Sequence, residues 1–213
     1  MTDPTRMTEL DLLVGSIFTT RPDEDRELFE EEREWLSDVQ DLLREEGVEV
    51  DLLSRPGVEI WEGGIEHFLD LYQLRLLAAY IEQGRDIGPL HDFKPEAATE
   101  PDPLLAAIWE GEQPTRFAHL INHQADGGYY LPVDFPEPIW LEFDEDTGED
   151  GHDIQEPVVS FGSSTALQRE LVDLEPLLQK AGVPEQSAPY RCLRVLREAV
   201  DQSISNDLPI IIW

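Results

Sequence analysis

The sequence predicts an α+β fold, a single domain in which a mixed or antiparallel sheet packs against long N- and C-terminal helices. Amphipathic helical patterns lie near both ends of the chain, short β-like segments fill about 116–161, and the last residues, NDLPIIIW, form an apolar strand pattern. We therefore place the sheet at about 116–161 plus the C-terminal strand. The 213 residues, 40% of them hydrophobic, suffice for one sizeable core, so we treat 1–213 as a single domain.

The first long helix is predicted at about 20–47. A threonine or an aspartate can cap it, Pro22 suits its first turn, and acidic residues crowd its start, where the helix dipole favours them. Apolar residues recur at helical spacing until Gly47, which favours termination. The acidic run at 30–32 indicates a solvated helix face or a docking surface.

Short elements flank this helix. Residues 8–18 alternate weakly and fit either a short helix or a strand. Residues 48–53 and 57–63 alternate in β fashion around a Pro-Gly turn, which predicts two strands or an irregular connection.

The strongest helical pattern spans 65–83. It is apolar on two faces, so we place this helix centrally, packed from both sides. Residues 84–103 are rich in Gly, Pro, Asp and Glu, which predicts a flexible or irregular connection within the domain. Asp102 and Pro103 then begin a short helix that Trp109 anchors.

Two histidines in RFAHLINH are the main candidates for metal chemistry. If this segment is helical, His119 and His123 are four residues apart on one face, a spacing that lets two imidazoles bind one metal ion. If it is a strand, both still share a face. The glutamate of the zinc-protease pattern H-E-x-x-H is absent, since Leu120 stands there, but Asp126 or Asp134 could act as a further ligand.

A strand is predicted from Tyr129 to Phe135, entered through an Asp-Gly-Gly turn. The two tyrosines at its start point to opposite faces, so at most one lines a pocket. Pro132 favours an edge strand or a bulge over a central position. The candidate binding residues of this stretch are His119, His123, Asp126, Tyr129, Tyr130 and Asp134.

An acidic loop separates two further predicted strands, at 138–143 and 156–164. Aligned on a calcium-binding loop from Asp146, the segment has Gly151 at the required sixth position, but a glycine at position three and Pro157 at position twelve. We therefore predict a long acidic hairpin tip. The sequence predicts no cofactor, and a divalent metal ion is the alternative.

The last third of the chain predicts two helices. A Thr-x-x-Gln capping box at 165–168 begins the first, which Pro176 kinks or restarts and Gly182 ends. The Gly-Ser-Ser turn before it could hold a phosphate, although the G-x-S-x-G elbow of hydrolases is absent. The second helix, at about 189–205, has three arginines on one side that either bind an anion or neutralise nearby acids, namely Arg191, Arg194 and Arg197.

The charge of the chain limits its partners. The formal net charge is −32, and only two residues are lysines. A field of that sign repels nucleic acids and anionic lipid surfaces, and it suits a basic protein, a cationic ligand or life in high salt. We therefore predict a basic protein partner and no binding to nucleic acid or membranes.

The compartment follows from cysteine usage and hydropathy. Cys192 is the single cysteine, which excludes an internal disulfide, and its apolar neighbours predict a buried structural thiol. We find no signal peptide pattern and no apolar run long enough to span a membrane. These features predict a cytoplasmic protein.

These observations favour a non-catalytic binding protein that docks a basic protein, as inhibitor or immunity-type proteins do. The first alternative is a metal-dependent or hydrolase-like enzyme with a site around His119 and His123. The second is a housekeeping domain from a salt-adapted cell, in which the acidity serves solubility alone.

Overall fold

A six-stranded mixed sheet is the centre of the fold. The computed structural model describes residues 8–90, 101–124, 127–142 and 158–213. Within them the strands are β1 (Leu10–Gly15), β2 (Glu59–Ile65), β3 (Gly128–Leu131), β4 (Ile139–Glu142), β5 (Val158–Ser163) and β6 (Ile210–Ile212). The helices are α1 (Arg26–Glu45), α2 (Phe68–Glu82), α3 (Pro103–Trp109), α4 (Ala118–Ile121), α5 (Ser164–Lys180) and α6 (Ala188–Asn206), with a short 3-10 turn at Gly88–Leu90.

The strand order is β2-β1-β6-β3-β5-β4. Strands β3 and β5 are parallel, and every other neighbouring pair is antiparallel. The predicted α+β fold with a mixed sheet is therefore confirmed. The sheet is larger than predicted, because β1 and β2 extend it on the side of β6.

Helices cover both faces of the sheet. On one face α1 packs through Leu36, Val39 and Leu43, all fully buried. We call the hydrophobic cluster on this face the α1 core. On the other face α2, α5 and α6 pack together in a second, larger core. Alternation along β6 divides its side chains between the two cores, since Ile211 joins the α1 side while Ile210 and Ile212 join the other.

The C-terminal strand β6 is docked against the body of the protein, as the sequence predicts. It lies inside the sheet, with a paired strand on each side. Ile210 pairs with Val14 of β1 on one side and with Tyr130 of β3 on the other. Beyond the strand, the N–H of Trp213 donates to Asp11 O at 3.2 Å.

Residues 48–53 form no strand, so the strand prediction is wrong for this segment, and the alternative, an irregular connection, is what the structure has there. The second predicted strand, at 57–63, corresponds to β2. The N–H of Val48 donates to Leu43 O at 2.8 Å, and the N–H of Leu52 donates to Gln40 Oε1 at 3.1 Å, so both bonds return to α1. Val48 and Leu52 are buried in the α1 core. The alternation of apolar and polar residues along 48–53 therefore reflects the packing of a loop on α1.

Two other boundaries differ from prediction. Helix α2 begins at Phe68 because Ile65 still pairs with Leu10 as the last residue of β2. Helix α5 is capped by Ser163, whose Oγ accepts the N–H of Ala166 at 2.9 Å. The predicted capping threonine therefore lies inside the first turn, and α5 continues through its proline to Lys180.

The prediction that Pro132 marks an edge strand is also wrong. Strand β3 lies between β6 and β5, and its last paired residue is Leu131. Because Pro132 follows that residue, its missing N–H removes no bond from the ladder.

Several predictions fall on other parts of the chain. Most of the predicted connection at 84–103 and the acidic loop that follows β4 lie outside the described residues. Among the helices that the structure describes, none is long and apolar enough to cross a membrane.

Candidate functional site

His119 is a buried structural histidine. It lies in the single turn of α4 and is 1% exposed. Its Nδ1 accepts the N–H of Ser163 at 3.0 Å, so its Nε2–H donates to Phe135 O at 3.0 Å. Burial lowers the pKa of this imidazole, which favours the neutral form. Both ring nitrogens are therefore bound by the backbone.

His123 is buried beside it, 2% exposed and stacked on Tyr130 with ring centroids 4.0 Å apart. Its Nδ1 lies 2.9 Å from Gln124 O, and its Nε2 lies 3.0 Å from Tyr129 O and 3.2 Å from Ser160 Oγ. Burial lowers the pKa of His123 to about 4, so the ring is neutral near pH 7. Ser160 is fully buried, so this serine–histidine contact offers no accessible nucleophile.

The two tyrosines face opposite sides of β3, as predicted. Tyr129 stacks on Phe161 in the α1 core, with ring centroids 5.3 Å apart. Tyr130 lies in the other core, where its hydroxyl donates to His119 O at 2.8 Å. Burial raises the pKa of Tyr130, so its hydroxyl remains a donor.

The two aspartates of the predicted set are separate from these rings. Asp134 is exposed and accepts two hydrogen bonds from Arg169, at 2.6 and 2.8 Å, which lower the pKa of its carboxyl group. Asp126 lies outside the described residues. Among the residues that the structure describes, no group of three or more His, Cys, Asp or Glu side chains could hold a metal ion.

The three arginines of α6 each contact an acid. Arg191 lies 3.3 Å from Glu66, Arg194 lies 3.9 Å from Glu185, and Arg197 contacts Glu175. Their positive charges are thus already opposed by carboxylates. Cys192 between them is buried, and burial raises the pKa of its thiol.

Sequence analysis missed Glu170, a buried carboxylate on α5. It accepts the N–H groups of His119 at 2.9 Å and Leu120 at 2.8 Å. Burial raises the pKa of Glu170 to about 8. A signal was present, because Glu170 lies three residues after Leu167 and one before Leu171, within the buried stripe of α5.

The second feature that sequence analysis missed is a row of carboxylates along α1. Its members are all exposed and follow one another at alternating spacings of four and three residues, which keeps them on the face of α1 opposite Leu36 and Leu43. We call this row the α1 ridge. It consists of Glu27, Glu31, Glu34, Asp38, Asp41 and Glu45.

The ridge is long, regular and almost free of positive charge. From Glu27 to Glu45 its length is about 27 Å, at 1.5 Å per residue. The arginines of α1 share a flank about 100° around the helix from the ridge, where Arg33 contacts Glu30 and Arg44 contacts Asp41. Within the acidic run at 30–32, Glu31 alone belongs to the ridge.

Comparison with known proteins gives one finding. The model of a family described as "Putative DNA-mimic protein" matches residues 8–212. No curated protein and no solved structure matches the chain. The family match overturns the predicted inhibitor- or immunity-like docking function, because this family is described by its imitation of DNA. It agrees with the coarser prediction of an acidic protein that binds another protein. It lends no support to the enzyme around His119 and His123 or to the salt-adapted housekeeping domain. Net charge alone could not distinguish imitation of DNA from other uses of an acidic surface.

Proposed function

The chain belongs to the family described as "Putative DNA-mimic protein", and from this membership we propose that it occupies the DNA-binding face of a DNA-binding protein in place of DNA. The partner in this proposal is a protein and not a nucleic acid, because a net charge of −32 repels phosphate backbones. We place this activity in the cytoplasm.

The α1 ridge is the observation that supports the proposal most directly. Its six carboxylates extend over about 27 Å, and successive members rise by about 4.5 or 6 Å along the helix. One strand of B-DNA presents a phosphate every 3.4 Å of its axis, or about eight phosphates over that length. The ridge therefore approaches the density of negative charge of one DNA strand along a straight line.

The ridge is also held rigidly. Opposite it, Leu36, Val39 and Leu43 are fully buried against the sheet. At the start of α1, the Asp25 side chain accepts the N–H groups of Glu27 and Leu28. A pre-ordered row of charges loses little conformational entropy on binding, which supports recognition of a basic face whose lysines and arginines are spaced for phosphates.

Neutralising the ridge tests the proposal. The ridge variant changes four members that have no ion pair or hydrogen bond through their side chains in the described structure: Glu27→Gln, Glu31→Gln, Glu34→Gln and Asp38→Asn. A matched control makes the same four chemical changes at exposed positions on α3, α5 and α6 or just beyond them: Glu110→Gln, Glu112→Gln, Glu198→Gln and Asp173→Asn. Both variants have the same net charge, so only the position of the change differs.

The wild-type protein and both variants are immobilised and exposed to an extract of the source organism's cells, and bound proteins are eluted with duplex DNA. We expect DNA to release DNA-binding proteins from the wild type and from the control, and at least tenfold less from the ridge variant. Capture of proteins that DNA does not displace, or equal capture by both variants, would contradict the proposal.

A further inference from the structure

A cleft of about 600 Å³, which we call the tryptophan cleft, lies between Trp109 and Trp140. Trp109 ends α3 and is 41% exposed, while Trp140 lies on the edge strand β4 and is 48% exposed. The Nε1–H of Trp109 donates to Ile121 O at 2.9 Å, which fixes the indole while much of the ring stays accessible. Because Leu141, the next residue of β4, joins the α1 core, Trp140 points to the opposite side of the sheet, away from the α1 ridge.

The floor of the tryptophan cleft contains an acceptor without a donor. Asn122 lines the cleft, and its Oδ1 is buried with no hydrogen-bond partner among the described residues. Buried polar atoms are nearly always hydrogen-bonded, so this oxygen is suited to a donor from a ligand. His123, which also lines the floor, is neutral near pH 7 because burial lowers its pKa to about 4.

The charges around the cleft differ between floor and rim. Arg75 lines the floor but is 3% exposed, and its Nη2 donates to His123 O at 2.9 Å and to Gln124 O at 3.4 Å. At the rim the carboxylate of Glu137 is exposed. An incoming group therefore meets a negative rim and two aromatic rings before it reaches the buried guanidinium.

We propose that the tryptophan cleft binds an arginine side chain presented by a peptide segment of another protein. A guanidinium group is flat, stacks on indole rings and attracts their π faces. Its several N–H donors can serve Asn122 Oδ1 and the Glu137 carboxylate together. A cleft of about 600 Å³ also accommodates the neighbouring backbone, which favours a peptide over a free small cation.

This site lies on the other side of the sheet from the α1 ridge and does not depend on the proposed function. The test follows the indole N–H resonances of Trp109 and Trp140 by NMR, assigned with Trp→Phe variants, while the full-length protein is titrated. The probes are N-acetyl-arginine amide, its neutral isostere N-acetyl-citrulline amide, N-acetyl-glutamate and the capped tripeptide Gly-Arg-Gly.

We expect saturable shifts of both resonances with the arginine amide, binding about tenfold weaker with the citrulline amide, and tighter binding with the tripeptide. Trp140→Ala should weaken binding of the arginine amide about tenfold, since one stacking face is lost. Trp213→Ala removes another exposed tryptophan and should leave the affinity unchanged. The ridge variant should also bind the arginine amide normally, which separates this site from the proposed function.

Three outcomes would overturn the inference. Equal binding of arginine and citrulline amides would show that the charge is not recognised. Stronger shifts with N-acetyl-glutamate would identify Arg75 as the centre of an anion site. Equal affinity for the amide and the tripeptide would indicate a site for a small molecule and not for a peptide.

Discussion

The carboxylate of Glu32 accepts the N–H of Thr20 at 2.8 Å, and its other oxygen accepts the N–H of Thr19 at the same distance. These bonds attach α1 to the loop that precedes it. Glu31, the neighbour of Glu32 in the chain, is exposed on the α1 ridge. Adjacent glutamates thus have different roles, one in holding the helix and one in its charged surface.

Substitution of these two glutamates should separate the roles. We expect Glu32→Gln to lower the free energy of unfolding by about 1–3 kcal/mol, because an amide cannot accept both N–H groups as the carboxylate does. Glu31→Gln should not lower it, because this change removes the repulsion of Glu31 with Glu27 and Glu34. Urea unfolding at pH 7 measures both, and equal effects would contradict the assignment.

Removal of the C-terminal strand should abolish the fold. Deletion of residues 210–213 takes away the internal strand β6, and with it both the β1 and the β3 ladders that contact it. We expect loss of the cooperative thermal transition. Trp213→Ala is the matched control, because the side chain of Trp213 is 55% exposed and its backbone bonds remain. A truncated protein that still melts cooperatively near the wild-type temperature would refute the prediction.

The sequence predicted elements with strong local patterns, among them the helix that became α1 and the apolar strand at the C-terminus. It did not predict which strands are neighbours. Pro132 indicated an edge strand, yet the ladder of β3 ends at Leu131, a limit set by pairing with distant residues. Likewise, no local feature distinguishes the alternation of residues 48–53 on a loop from that of a strand.

The candidate sites show the same difference between local patterns, which the sequence predicted, and contacts between distant segments, which it did not. The spacing of His119 and His123 suggested shared chemistry, but burial engages each ring with backbone groups from other segments. The α1 ridge, in contrast, was recoverable from the sequence once the helix was assigned, since its members recur at steps of four and three. The acidic run at 30–32 does not reveal the row, because its consecutive residues lie on different helix faces.

Glu170 should make the stability of the protein depend on pH. Burial raises its pKa in the folded state to about 8, from an ordinary value near 4.5. Its contribution is therefore fully present below about pH 4.5 and is lost as pH rises through 8. Comparison with Glu170→Gln isolates this contribution, since the variant cannot titrate there.

We expect the free energy of unfolding of the wild type, minus that of Glu170→Gln, to fall by on the order of a few kcal/mol between pH 4.5 and 8. Chemical denaturation at several pH values measures the difference. A flat difference for Glu170→Gln would mean that its carboxyl group titrates normally in the folded protein.

The α1 ridge should also affect stability through its own repulsion. Like charges three or four residues apart on a helix destabilise it by about 0.2–0.5 kcal/mol per pair. The ridge variant removes four such contacts within the ridge, from the Glu27–Glu31 pair to the Asp38–Asp41 pair. Loss of Glu27 from the first turn offsets part of this gain, because an acid there favours the helix dipole. In the matched control, Asp173 and Glu198 each follow an arginine by four residues, so their neutralisation removes attraction instead.

At low ionic strength the ridge variant should therefore melt at a higher temperature than the control variant, although both have the same net charge. The difference should shrink in 1 M NaCl, where charges are screened beyond about 3 Å. Thermal unfolding of both variants across a salt series measures it. If the two variants melt together at low salt, the ridge carboxylates do not act on one another, and the row lacks the close spacing that imitation of a DNA strand requires.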